Sequence, residues 1–151
     1  MKFNFKLQKV LEHRKILEDL AQKDFLESVS ALKVEEDQLD FLRTARHKAF
    51  DRRFQIQTEA LDPHGLLAMQ QIENFIKGQD RRIEAQKAKV QEAEKLVEFK
   101  REILRQKATE YKIIDKLKEK QKAEYVEEMN RKEQKEIDEL NVIRFDLKEN
   151  L

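Results

Sequence analysis

The sequence predicts an all-α protein, an antiparallel two-helix coiled-coil hairpin with an overhanging C-terminal helix. Three observations carry that expectation. Charged residues make up 42% of the 151 positions, against roughly a quarter in ordinary globular domains. Gly occurs twice, Pro once and Cys never, whereas sheets and compact α/β folds need turn residues at short, regular intervals. Apolar side chains also recur at heptad spacing through most of the chain, which is the seam pattern of a coiled coil.

The first helix is expected over about residues 6–60. Phe3, Leu7, Val10, Leu17 and Ala21 follow 3/4 spacing, then the pattern steps on to Phe25, Leu32 and Leu39 every seven residues. Leu42, Ala49 and Ile56 form a companion column. The step between Leu17 and Phe25 predicts a local phase shift of the heptad.

The one break falls at Leu61-Asp62-Pro63-His64-Gly65. Pro63 lacks an N–H and disfavours helical geometry before it, so the first helix should stop near Leu61. Two starts are open for the second helix. Asp62 could cap it with Pro63 at the first position, or Gly65 could be a flexible element with the helix running over about residues 66–147. A turn confined to 61–65 favours antiparallel neighbours over one kinked rod.

In the second helix Ile76, Ile83, Val90, Val97, Leu104 and Tyr111 recur every seventh residue. The companion column is polar for the most part: Gln79, Gln86, Ala93, Lys100, Lys107 and Ile114. One apolar and one polar column predict a narrow seam. With the turn at 61–65, residue 7 should lie opposite roughly residue 119, leaving about thirty C-terminal residues unpaired at 1.5 Å per residue. This overhang begins with the polar run Lys118 to Lys122 and ends with Ile137, Leu140, Ile143 and Leu147 near one face. Such a stripe either docks on a partner or frays and self-associates.

Little in the sequence suggests catalysis. The only glycines are Gly65 and Gly78, which rules out a P-loop. His13, His47 and His64 do not form a helical i, i+4 metal pair. Carboxylates on exposed helix faces pair with Lys or Arg and have no desolvated pocket to tune them. The expectation is a non-enzyme without cofactor or metal. The 32 Lys and Arg nearly balance the 31 Asp and Glu, which argues against a dedicated nucleic-acid or membrane-surface binder. The N-terminus lacks an apolar h-region, and the longest apolar run is Leu66 to Met69, so a cytoplasmic protein is expected.

The aromatic residues point to binding. Phe41, Phe50, Phe54 and Phe75 lie near the turn, more rings than a two-helix seam can cover. They predict either an exposed interface patch or a fatter plug closing the hairpin. Arg43, Arg46, Lys48, Arg52, Arg53, Arg81 and Arg82 surround them, a rim suited to an acidic protein surface. RNA is the weaker reading, because Asp51 and Asp80 are interleaved.

Phe3-x-Phe5-x-Leu7-Gln8-Lys9-Val10-Leu11, followed by Arg14, Glu18 and Ala21, resembles the opening of the FliJ family of flagellar export proteins. Chain length, two helices, a turn near residue 62 and the Phe75-Ile76 pair extend the likeness end to end. The related subunits of virulence-type secretion systems would look similar. The resemblance implies a cytoplasmic, non-catalytic component of the type III export apparatus, peripheral to the membrane through its partners only. Those partners would be the hexameric export ATPase, the cytoplasmic part of the export gate and, in some members, export chaperones. The ATPase-facing end would be Phe3, Phe5, Leu7, Leu11 and Arg14 with Tyr125, Met129, Ile137 and Leu140. The gate-facing end would be Gln38, Leu42, Phe75, Gln79, Arg82 and Gln86. The family often carries aromatics where this chain has Ala45 and Ala49, and Phe50 and Phe54 are the candidate substitutes. Outside the resemblance, a generic coiled-coil scaffold pairing its heptads between chains is the alternative.

Overall fold

The computed structural model describes residues 2–59 and 62–150. Two helices account for nearly all of them: α1 over Gln8–Thr58 and α2 over Pro63–Glu149, packed antiparallel as a hairpin. The expected stop near Leu61 lies outside the described residues. α1 has already closed by then, with the Thr58 hydroxyl donating to the Gln55 carbonyl at 2.8 Å.

Of the two possible starts for α2, the structure takes the earlier. Asp62 Oδ1 accepts from the Gly65 N–H at 2.7 Å, and the Asp62 carbonyl accepts from Leu66 at 3.1 Å. Asp62 is therefore an N-cap and Pro63 sits at the first helical position, where its missing donor is harmless. Gly65 is inside the helix, and no described glycine has a positive φ.

The chain divides into two compact units. The middle unit, Leu20–Arg105, has its core at Leu39, Leu42, Ile83 and Val90, with Leu32 packed against them. Ala21, Ile56, Ile76 and Val97 are buried in it as well. The helix-end unit joins residues up to Asp19 with those from Gln106 onward. Its core is Phe5, Leu11 and Ile114, flanked by Phe3, Tyr111 and Leu117. Each such side chain contributes about 1.5–3 kcal/mol when fully removed from water.

The expected phase shift in α1 is absent. One row of buried or half-buried positions runs Leu11, Arg14, Glu18, Ala21, Phe25, Ser28, Leu32, Glu35, Leu39 and Leu42 in unbroken 3/4 alternation, with half-buried Leu17 beside it. Leu7 and Val10, placed in the seam by hydrophobicity, are 37% and 39% exposed. The seam takes polar residues because their aliphatic stems cover apolar surface, and Glu18 has for its buried oxygen, among the described residues, only the Lys15 ammonium at 3.8 Å. Arg14 donates to the Glu110 carbonyl at 2.7 Å.

The unpaired end of α2 is also shorter than expected. Lys118 Nζ donates to Gln8 Oε1 at 2.8 Å, in line with the expected register. Ahead of α1, however, the chain leaves the helix through a turn in which the Gln8 N–H donates to the Phe5 carbonyl at 3.1 Å, and Phe3 reaches the ring of Tyr125 at 5.6 Å between centroids. The five residues from Gln8 back to Phe3 thus pass seven of α2, from Lys118 to Tyr125, more than a helix rising 1.5 Å per residue would. Lys118 to Lys122 are therefore in the paired stretch, and the overhang starts at Val126.

Candidate partner-binding surfaces

In the helix-end unit the expected ATPase-facing residues fall into two groups. Phe5 and Leu11 are buried core, and Phe3 and Tyr125 are half-buried with their rings packed at a 48° tilt. Arg14 is committed to the Glu110 carbonyl. These five hold the unit together. Leu7, Ile137 and Leu140 are exposed and Met129 is half-exposed, so they are the ones available to a partner. Lys15 lies 5.1 Å above the Tyr111 ring, and its pKa is raised by Glu18 first and then by Asp19.

The overhang differs from its expected one-sided stripe. Val142 and Phe145 are as exposed as Ile137, Leu140, Ile143 and Leu147. At 100° per residue Val142 lies about 140° from Ile137 on one side, and Ile143 about 120° on the other. The last turns are thus apolar nearly all round, the pattern of a helix that other protein surrounds. Sequence reading missed Val142 and Phe145 because they fall off the 3/4 period.

In the middle unit the expected gate-facing residues also divide. Leu42, Gln79 and Gln86 are buried, the two glutamines at 3% and 5% exposure. Gln79 Nε2 donates to the Leu42 carbonyl at 2.9 Å, and Gln86 Nε2 donates to the Glu35 carbonyl at 3.0 Å. Seven residues separate the donors on α2, and seven separate the acceptors on α1. The polar column is therefore a ladder of cross-helix hydrogen bonds, and these three side chains do not face outward as the resemblance implied. Gln38, Phe75 and Arg82 do. Arg82 also donates to Gln79 Oε1 at 3.0 Å, which orients the amide for Leu42.

Phe50 is half-buried between two guanidinium groups, Arg46 at 4.7 Å and Arg53 at 4.8 Å. Arg46 is tied to Asp80 across the seam. With Arg43, His47 and Lys87 they border an open groove of about 490 Å³. The aromatic surplus does not form one patch. Phe41 and Phe54 are both exposed, but thirteen residues of helix set them more than 100° apart around α1. Phe99, exposed in the same unit, had no place in the sequence pattern.

Among the described residues there is no cluster of His, Cys, Asp or Glu that could hold a metal, and no helix long and apolar enough to cross a membrane. Glu84/Lys87, Glu92/Lys95 and Glu98/Arg101 are exposed ion pairs within α2. Each contributes a fraction of a kcal/mol.

Fold and surfaces together define a coiled-coil hairpin whose accessible chemistry lies on open helix faces. More narrowly, the chain belongs to the FliJ family, because the family model described as flagellar FliJ protein matches residues 2–150. That family is a non-catalytic component of flagellar type III export. The fold is similar to that of a Chlamydia trachomatis protein described as a YscO homolog. The match has a TM-score of 0.68 and 21% identity and covers 99% of both chains. Comparison with curated proteins finds no match.

Proposed function

We propose that this chain is the central-stalk-like coupling protein of a flagellar export apparatus, binding the hexameric export ATPase at its helix ends and the cytoplasmic part of the export gate through the middle unit. It acts without catalysing a reaction of its own and sits at the inner face of the cell membrane only through those partners. Export chaperones are further partners in this reading. The observation that carries it is the C-terminal end of α2, a helix with apolar side chains on nearly every face and none covered. Isolated helices of that length are marginal in water and gain most of their stability by docking. Family membership supports this choice of partners.

The test is the ATPase rate of the cognate hexamer with and without this chain. Stimulation should be lost when Ile137 and Leu140, both exposed, are changed together to Asp. Unaltered stimulation would overturn the ATPase contact. For the gate, Phe75→Ala with Arg82→Ala should weaken binding to its cytoplasmic part by tenfold or more, a loss of about 1.4 kcal/mol. Circular dichroism should stay helical, and unchanged affinity would remove that surface from the reading.

A further inference from the structure

The helix-end unit carries two apolar surfaces that nothing in it covers. One is the overhang, residues 126–149. The other lies on the paired part of the same unit, where Leu7 and Val10, one turn apart at the start of α1, are exposed, as is Ile113 on α2. Their charges are opposite. Residues 126–149 hold five Lys and Arg against eight Asp and Glu, a net of −3. Residues 2–19 and 106–125 hold eleven against seven, a net of +4.

Their lengths also agree. The overhang is 24 residues of helix and the paired part of α2 is 20, or about 36 Å and 30 Å. Within one chain the two surfaces cannot meet, because a single continuous helix carries both the overhang and the paired part of α2.

We propose that a second copy of this chain covers them: the overhang of each copy lies on the paired part of the other, in a reciprocal two-fold dimer. The overhang then runs antiparallel to the partner's α2 and completes a three-helix layer. Acidic helix meets basic pair twice, once for each copy. Because the contact is reciprocal it closes on itself and does not propagate into fibres. The dimer uses the surface assigned above to the ATPase, so it is a masked form that excludes that contact. It does not depend on that assignment being right.

The test uses the full chain and needs no other protein. Sedimentation equilibrium should show a monomer–dimer equilibrium with a dissociation constant on the order of micromolar. Affinity should fall several-fold as salt rises from about 0.05 to about 0.5 M. Lys6→Glu with Lys9→Glu should weaken the dimer at least tenfold. Adding Glu136→Lys and Glu139→Lys to the same chain should restore most of the loss.

The chain has no cysteine, which makes cross-linking clean. Val10→Cys with Leu140→Cys should give a covalent dimer on oxidation. Val10 adjoins Leu11, which packs with Ile114, so Leu140 of the same copy is about 38 Å away along α2 and out of disulfide reach. Each single cysteine variant should stay uncoupled. A chain that remains monomeric at every concentration overturns the proposal. So does a dimer indifferent to the Lys6 and Lys9 reversal, or one that cross-links through Leu140→Cys alone, since either result sets overhang against overhang.

Discussion

Two stretches of α2 have similar composition and opposite fates. Between Ile76 and Val97, apolar and amide side chains alternate at 3/4 spacing, and Ile76, Gln79, Ile83, Gln86, Val90 and Val97 are all buried. Between Val126 and Leu147 there are at least as many large apolar residues, and every one of Val126, Ile137, Leu140, Val142, Ile143, Phe145 and Leu147 is about half exposed or more. The difference is period, not hydrophobicity. A heptad row aims its side chains at one facing helix, whereas a helix apolar all round must be enclosed to bury them. One stretch completes itself within the chain, and the other leaves its apolar side chains uncovered.

Substitutions that remove the same amount of side chain from each stretch should therefore behave differently. Ile83→Ala empties a position in the middle core, where Leu39, Leu42 and Val90 surround it. It should destabilise the hairpin by about 2–4 kcal/mol, read from urea or thermal unfolding followed by circular dichroism. Leu140→Ala removes a side chain that is already 56% exposed. It should change stability by about 0.5 kcal/mol or less, because surface substitutions away from special features rarely do more. Equal losses would mean that the overhang is covered in the free protein.

The glutamine ladder gives a sharper contrast. Gln86→Ala deletes a buried donor whose acceptor, the Glu35 carbonyl, belongs to helical backbone. It should cost about 1–2 kcal/mol, from the lost hydrogen bond and the space left behind. Gln86→Leu refills that space with apolar volume and should be close to neutral in stability. The loss expected from Gln86→Leu is in uniqueness, because a single buried polar position can fix helix register at the expense of stability. Spin-label distances across the middle unit would show this as a broadened distribution. An unbroadened distribution would assign register to the apolar rows instead.

Most of the fold was legible in composition and period. Scarce glycine and proline, one break, and heptads on both sides of it favour two antiparallel helices over a kinked rod or heptads paired between chains. Two things were hidden, each for a physical reason. Arg14 and Glu18 occupy seam positions, and a reading that follows hydrophobicity jumps to Leu7, Val10 and Leu17 and invents a phase shift. The non-helical segment before α1 has no periodic signature, so the pairing of Phe3 with Tyr125 could not be foreseen. The surfaces were half legible. Exposed Phe75, Arg82, Ile137 and Leu140 lie where a partner can reach them, but Gln79 and Gln86 read as surface because they are polar. Only their carbonyl partners on α1 reveal them as seam.

The one expected gain in stability concerns the row next to that ladder. Gly78 lies in α2 beside Gln79 and is half-buried. Its φ is helical, so no left-handed conformation demands a glycine. A Cβ built there meets only the Arg82 guanidinium, at 3.8 Å, an ordinary contact. Gly in a helix interior is about 0.5–1 kcal/mol less favourable than Ala. Gly78→Ala should therefore raise the stability of the hairpin by about that amount, measured as an increase in the urea midpoint at unchanged slope. A stability gain with unaltered gate binding would leave the glycine without a role in that contact. A stability gain accompanied by weaker gate binding would mean that partner backbone approaches α2 closely at this point. That result would extend the outward-facing surface of Phe75 and Arg82 along the helix to Gly78.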